Sequence, residues 1–344
     1  MGFSLTDEKK DKFVAFWQRN GKTCPCIGFQ IAGSGVRPPV SDYRSADAAG
    51  SEPSPIDIEA LSRWCEGKHA ESAAIAQDAV WTASPPPQIR WLERMIAPEG
   101  ELPWVDSYNT VLAQLVAAAD GRYPVATASF SGIVDLMVAL VGSATLQELK
   151  TRSPQKVADL GGKLSTWAAR IMGGALARPP EVDGGTFLGD LHLWAPGRSY
   201  RYQERQAHLF SAEEYRNLVL PSIRSFLRRF DYTVYYVRHD SLHLLDEILP
   251  VPEIDACELF VGPQEPAFDD LLPVLRRIQE HGKSLIVRGM IVKEDFERAR
   301  DELSWKGVYL LLTKETLSEA RFWASYLASH SLNAEANAYG EAGL

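Results

Sequence analysis

Three short clusters in the 344-residue sequence carry the side chains that acid–base or anion chemistry requires. In GDLHLW the carboxylate of Asp190 and the imidazole of His192 alternate. On a strand running through them, both would face one side and make a general acid/base pair. If the strand ends earlier, Asp190 caps a turn and His192 lies on the surface. Trp194 and the Ala195-Pro196-Gly197 turn would wall the pair with apolar surface and raise the acid's pKa. Arg238-His239-Asp240 follows the strongly β-forming run YTVYYV. An Arg there can hold a carboxylate through its planar fork; the alternative is surface charge, with Asp240 or Ser241 capping the next helix. Arg288 ends the apolar run SLIVR, and a guanidinium that cannot shed its proton calls for an anion. A substrate anion or Glu258 would each serve. Glu258 lies inside CELFV, where an ionised carboxylate must face an opening or meet a cation such as Arg288 or Arg238. Gln30, Ser129, Ser131, Thr313 and Lys314 also end apolar runs. Gln30 and Lys314 join Arg238, Glu258, Arg288 and Trp194 as expected substrate contacts. Asp190, His192, His239 and Asp240 are the expected catalytic groups.

No metal site is expected. His239 and His243 have the i, i+4 spacing of a metal pair, but a helix beginning at Asp240 or Ser241 leaves His239 outside it. Cys24 and Cys26 flank Pro25; on a strand both thiols share a face, as a soft-metal or redox pair or as small residues packing an inner strand. With Cys65 and Cys257 the four cysteines are too few and too scattered for a disulfide framework.

The elements that must position these groups read as alternating strands and helices. Residues 5–20 form an amphipathic helix with Phe13, Phe16 and Trp17 on one side. A short strand, CPCIGFQIA, follows. Residues 33–55, rich in Gly, Ser, Pro and Asp, read as an irregular loop, and Pro85-Pro86-Pro87 forbid helix. From Tyr123 the pattern becomes regular: YPVATASF as a strand, SGIVDLMVALVG and SPQKVADLGGKLSTWAARIMGGAL as helices, and GGTFLGDLHLW as a strand. Next comes a helix, SAEEYRNLVLPSIRSFLRRF, opened by a Ser211/Glu214 capping box. Three strand-helix units follow: YTVYYVR with SLHLLDEIL, ACELFVG with FDDLLPVLRRIQEHG, and SLIVRG with KEDFERARDEL. A VYLLL strand then precedes a helix with a Thr316/Glu319 capping box. That makes seven strands, with an eighth expected within residues 79–105. Apolar strands separated by single helices imply an α/β fold with a helix-covered parallel sheet. No dinucleotide fingerprint follows the first strand, so a closed (β/α)8 TIM barrel is expected over an open doubly wound sheet. Residues 1–78 would form an N-terminal helical and loop extension, 79–330 the main part of the barrel and 331–344 a flexible tail.

The net charge of −9 and the absence of a basic stripe argue against a nucleic-acid partner. No apolar stretch reaches the roughly 18 residues of a membrane span, and the N-terminus lacks the apolar core of a signal peptide. A cytoplasmic location without a membrane partner is the expectation.

The order of segments resembles the uroporphyrinogen decarboxylase superfamily, which also contains the zinc-dependent corrinoid methyltransferases. The resemblance covers roughly residues 85–328. It rests on GRYPVATASFSGIVDLMVALVGSATLQELKTRSPQKVADL, LFSAEEYRNLVLPSIRSF and LLDEILPVPEIDACELFVGP, with GDLHLWAPGR and WLERMIA similar to a poorly characterised branch. The resemblance implies a barrel whose active site lies at the C-terminal ends of the strands, often as a homodimer. It implies methyl-group transfer, with a corrinoid or folate carrier or a corrinoid protein as partner, or cofactor-free decarboxylation or lysis of a carboxylated substrate. A barrel that only binds a ligand or protein is the third expectation. An anionic or methylated small molecule is the expected substrate. The Arg-rich Gly motif of the true decarboxylases is reduced to GSGVRPP with the single Arg37. Where the zinc enzymes have His-x-Cys and a later Cys, this chain has His239-Asp240-Ser241 and Thr313-Lys314, so that zinc site is not expected.

Overall fold

The computed structural model describes residues 3–20, 25–32, 58–75, 77–83, 103–126, 129–172 and 178–340. The chain is a mixed α/β structure around a six-stranded sheet in the order β1-β8-β7-β6-β5-β4: β1 (Cys26–Ile31), β4 (Ser199–Gln203), β5 (Tyr232–Tyr236), β6 (Ala256–Val261), β7 (Ser284–Gly289) and β8 (Val308–Lys314). All five pairings are parallel. The helices that cover the sheet carry apolar residues at helical spacing, and the helix Phe268–Glu280 buries Phe268, Leu271, Leu272, Leu275 and Ile278 along one stripe.

At the N-terminus, α1 (Asp7–Gln18) starts where the Thr6 hydroxyl accepts from Lys9 N–H at 3.4 Å, with Asp7 and Glu8 complementing the helix dipole. It buries the expected Phe13, Phe16 and Trp17. The expected capping box before Tyr215 is present, the Ser211 hydroxyl meeting Glu214 N–H and the Glu214 carboxylate reaching back to Ser211 N–H. Beyond it, Tyr215–Val219 widens into a π turn ahead of Leu220–Leu227, because Pro221 lacks the N–H that would continue the α ladder.

Strand alternation divides the sheet's side chains between two faces. Tyr200, Tyr202, Tyr235, Cys257, Leu259, Leu285, Val287, Leu310 and Leu312 pack under the covering helices. Cys26, Val234, Ala256, Ile286, Tyr309 and Leu311 point the other way, against α1 and an antiparallel hairpin of β2 (Thr186–Leu188) and β3 (Leu193–Ala195). Two further segments bond to the sheet's edges. Asp78 and Ala79 N–H donate to Ile27 O of β1 at 2.8 and 3.1 Å, and the Gln77 side chain accepts from Phe29 N–H at 2.5 Å. Ala83 and Val125 form a parallel bridge, and Gly132 N–H donates to Gln203 O of β4 at 2.8 Å.

Four expectations are corrected. YPVATASF is not a full strand among its described residues, since only Val125 makes a bridge there. GGTFLGDLHLW is not one strand: a 3-10 turn at Gly189–Leu191 and a left-handed His192, φ 52°, fold it into the hairpin. SYRYQ is a strand, β4, in a stretch read only as the connection between the Ala195-Pro196-Gly197 turn and the helix at Ser211. The last helix, Leu317–Gly340, runs through most of the expected tail. The loop at 33–55, Pro85-Pro86-Pro87, Cys24, Arg37 and WLERMIA lie outside the described residues.

Candidate functional site

On the hairpin side of the sheet the side chains turn polar toward the C-terminal ends of the strands. By register, Gln30 faces the same side as Thr313, Arg288 the same side as Phe260, and Gln203 and Tyr236 the same side as Glu258. Glu258 is 0% exposed and Arg201 5%. Arg201 Nη2 donates to Glu258 Oε1 at 2.9 Å while Nε meets Oε2, a two-pronged pair. Burial is the largest single influence on the Arg201 pKa and would lower it, but the charge and hydrogen bonds of Glu258, with Asp190 and Tyr236, together raise it. The remaining arm, Nη1, donates to Gln203 Oε1 at 2.7 Å and lies 3.6 Å from Asp190 Oδ2, and the guanidinium stacks 4.9 Å from the Tyr236 ring centre. A charge pair this dry persists because each partner's loss would strand the other.

The hairpin tip closes over this layer. Tyr309 OH donates to Leu191 O at 2.7 Å, and Gln30 Nε2 reaches Asp190 O at 3.5 Å. His192 Nδ1 accepts from Thr82 N–H at 3.3 Å, which places the ring proton on Nε2. Burial, with Arg288 adding to it, lowers the His192 pKa to about 4, so the ring is neutral at pH 7. Asp190 and His192 therefore do not form the acid/base pair that strand alternation would give: one carboxylate oxygen faces Arg201, while the imidazole is held by the 77–83 segment.

Arg288 stands differently from Arg201. Its Nη1 is 3.5 Å from Glu258 Oε1, an oxygen that Arg201 already holds, and its buried Nε has no hydrogen-bond partner among the described residues. Glu258 thus meets Arg288, one of the partners expected for it, but its closer partner is Arg201, which the sequence reading missed. Alternation in SYRYQ, with Tyr200 and Tyr202 outward and Ser199, Arg201 and Gln203 inward, was the available signal.

The remaining expected residues are dispersed. Arg238 and Asp240 pair with each other at 3.1 Å, and Asp240 also accepts from Ser241 Oγ at 3.0 Å. Arg238, not Asp240 or Ser241, precedes the first helical residue, so His239 opens the 3-10 helix His239–Leu244. His239 Nε2 lies 2.7 Å from Phe260 O and 3.0 Å from Glu265 Oε2, whereas His243 Nε2 bonds Phe210 O at 2.9 Å, so the two rings do not converge on a metal. Lys314 points to the helix face, its Nζ donating to Ile291 O at 3.2 Å and lying 3.7 Å over the Trp323 ring. Trp194 is buried in the hairpin core, its Nε1 donating to Val182 O at 2.8 Å. Of the side chains expected where a zinc site would need its ligands, His239 bonds Phe260 O, Ser241 Oγ donates to Asp240 and Lys314 faces the helices. No group of three metal-binding side chains occurs among the described residues.

Sequence reasoning also missed Glu204, which is buried under the helix face. It accepts from Tyr202 OH at 2.6 Å, Tyr215 OH at 3.0 Å and Val134 N–H at 2.9 Å, and burial raises its pKa to about 7.

No protein-family model matches the chain, and no curated protein matches it. No helix among the described residues is long and apolar enough to cross a membrane.

Proposed function

We propose that the six parallel strands, together with residues 77–83, 124–126 and 129–132, close into a (β/α)8 barrel, and that the chain is a small-molecule enzyme acting on a carboxylated substrate at the strands' C-terminal ends. Support for closure comes from the bonds those segments make to β1, to each other and to β4. The observation that carries the function is Arg288, a guanidinium in the buried charged layer whose Nε lacks a partner and whose one acidic neighbour already belongs to Arg201. A carboxylate on Arg288 would complete it.

The reaction class favoured is decarboxylation or a related lyase step. When carbon dioxide leaves a carbon β to a carbonyl, the electrons of the broken C–C bond pass into that carbonyl, whose oxygen takes the negative charge. A neutral imidazole is a suitable hydrogen-bond donor to such an oxygen, and His192, whose Nδ1 accepts from Thr82 N–H, carries its ring proton on Nε2. Asp190, facing Arg201, is the nearest candidate to manage the proton that replaces the carboxylate. Methyl-group transfer, with or without a corrinoid or folate carrier, rests on the resemblance alone.

Incubating the protein with small mono-, di- and tricarboxylates, and separately with N- and S-methylated compounds, tests this by proton NMR and carbon dioxide release. Consumption of a carboxylate, lost in Arg288→Gln, is the expected result. Demethylation of a methylated compound would favour the rival chemistry, and binding without turnover would make the protein a ligand-binding barrel.

A further inference from the structure

Two buried side-chain atoms among the described residues have no hydrogen-bond partner, His239 Nδ1 and Arg288 Nε. They flank the same residue. The His239 ring bonds the carbonyl of Phe260, while Arg288 is the register partner of Phe260 on β7. Val237 N–H donates to Glu258 O at 2.9 Å as the last rung between β5 and β6; two residues on, the His239 ring takes the place that a backbone N–H would occupy on Phe260 O.

This placement fixes the chemistry of the ring. Phe260 O and Glu265 Oε2 both accept, so Nε2 carries a proton, and in the neutral ring the buried Nδ1 keeps a lone pair that no donor meets. The ring is therefore oriented by two partners through one nitrogen, and its other nitrogen faces none. Arg288 Nε–H is a donor without an acceptor, and His239 Nδ1 is an acceptor without a donor. Native proteins leave few buried groups in this condition, and one ligand bearing an anion and an O–H answers both.

Resting on the carboxylate reading above, we propose that the substrate is a hydroxylated carboxylic acid that also bears the carbonyl the decarboxylation requires: its carboxylate lies on Arg288, and its hydroxyl donates to His239 Nδ1, with Glu265 as the positioning residue for the ring. Glu265 and Phe260 O hold the imidazole so that discrimination between a hydroxy acid and its deoxy analogue resides in one hydrogen bond.

The test compares matched probes, malate against succinate and lactate against propionate, by calorimetric titration of the full chain. The wild type should bind the hydroxy acid about tenfold more tightly, the value of one hydrogen bond to an otherwise unpaired buried acceptor. His239→Phe keeps an aromatic ring but has no lone pair to accept a hydroxyl, and should bind both members of each pair equally at the deoxy affinity. Glu265→Gln should narrow the preference without abolishing binding of succinate. Equal binding of both members by the wild type, or a preference that survives His239→Phe, overturns the inference while the carboxylate reading stands. Absence of any carboxylate binding, or binding that Arg288→Gln leaves unchanged, overturns both.

Discussion

Arg201 on β4, in register with Val234 of β5, and Glu258 on β6, in register with Tyr236 of β5, meet across that intervening strand in a two-pronged ion pair with almost no solvent contact. Neighbouring strands lie about 4.8 Å apart, so the pair spans a distance that only a side chain as long as Arg covers. It ties three strands together directly beneath the residues proposed to hold substrate.

Removing one partner should therefore cost more than removing both. Glu258→Gln strands a buried guanidinium and should lower stability by about 3–5 kcal/mol. The double change Arg201→Met with Glu258→Leu should recover much of that loss. Urea denaturation of the single and double variants checks it; a double variant as unstable as the sum of the two singles would mean that the pair is not coupled.

His192 makes stability depend on pH in a defined direction. Its pKa is lowered to about 4 in the folded chain, against about 6.5 unfolded, so between those values the unfolded chain holds the extra proton. Stability is then fully present above the unfolded value and falls as pH drops toward 4, by up to roughly 3 kcal/mol from this group. Denaturation midpoints of wild type and His192→Gln should converge as pH falls from 7 to 4. Parallel profiles would show that the ring is not held neutral.

Glu204 works in the opposite sense. Its folded pKa is raised to about 7 by burial, above the ordinary carboxyl value, so the folded chain holds the extra proton between the two. The resulting stabilisation is present at low pH and is lost as pH rises through 7, by up to roughly 3 kcal/mol. Glu204→Gln keeps an acceptor for Val134 N–H and Tyr202 OH and should flatten that part of the profile. A variant whose stability still falls between pH 5 and 8 as steeply as the wild type contradicts the assignment.

Lys314 should matter to folding and not to ligand. Lys314→Met removes its bond to Ile291 O and its contact with Trp323, costing about 1–2 kcal/mol, and should leave carboxylate affinity unchanged. A tenfold loss of affinity with intact stability would return this residue to the site.

What the sequence made legible follows a physical divide. Strands β5 to β8 are apolar on both faces because helices cover one and the hairpin core fills the other, and such runs stand out. Helix α1 and the Ser211 capping box were readable because their signals are local. The hairpin was not, since its reversal depends on a left-handed backbone at His192, a conformation that no residue type there announces. Strand β4 was hidden because Ser199, Arg201 and Gln203 are polar inside a sheet, where propensity expects apolar side chains. The burial of Arg201 is explained by Glu258, 57 positions away in sequence. Lys314 misled in the reverse way: ending an apolar strand placed it near the site, but its alternation phase turned it toward the helices.

The central claim, that Arg288 holds a carboxylate at the C-terminal ends of the parallel strands, is tested most directly by a crystal structure of the protein soaked with malate. The account predicts a carboxylate within hydrogen-bond distance of Arg288 Nε, and none on Lys314 or the Arg238–Asp240 pair. A malate bound at either of those places, or Arg288 Nε occupied by another side chain of the protein, would contradict it.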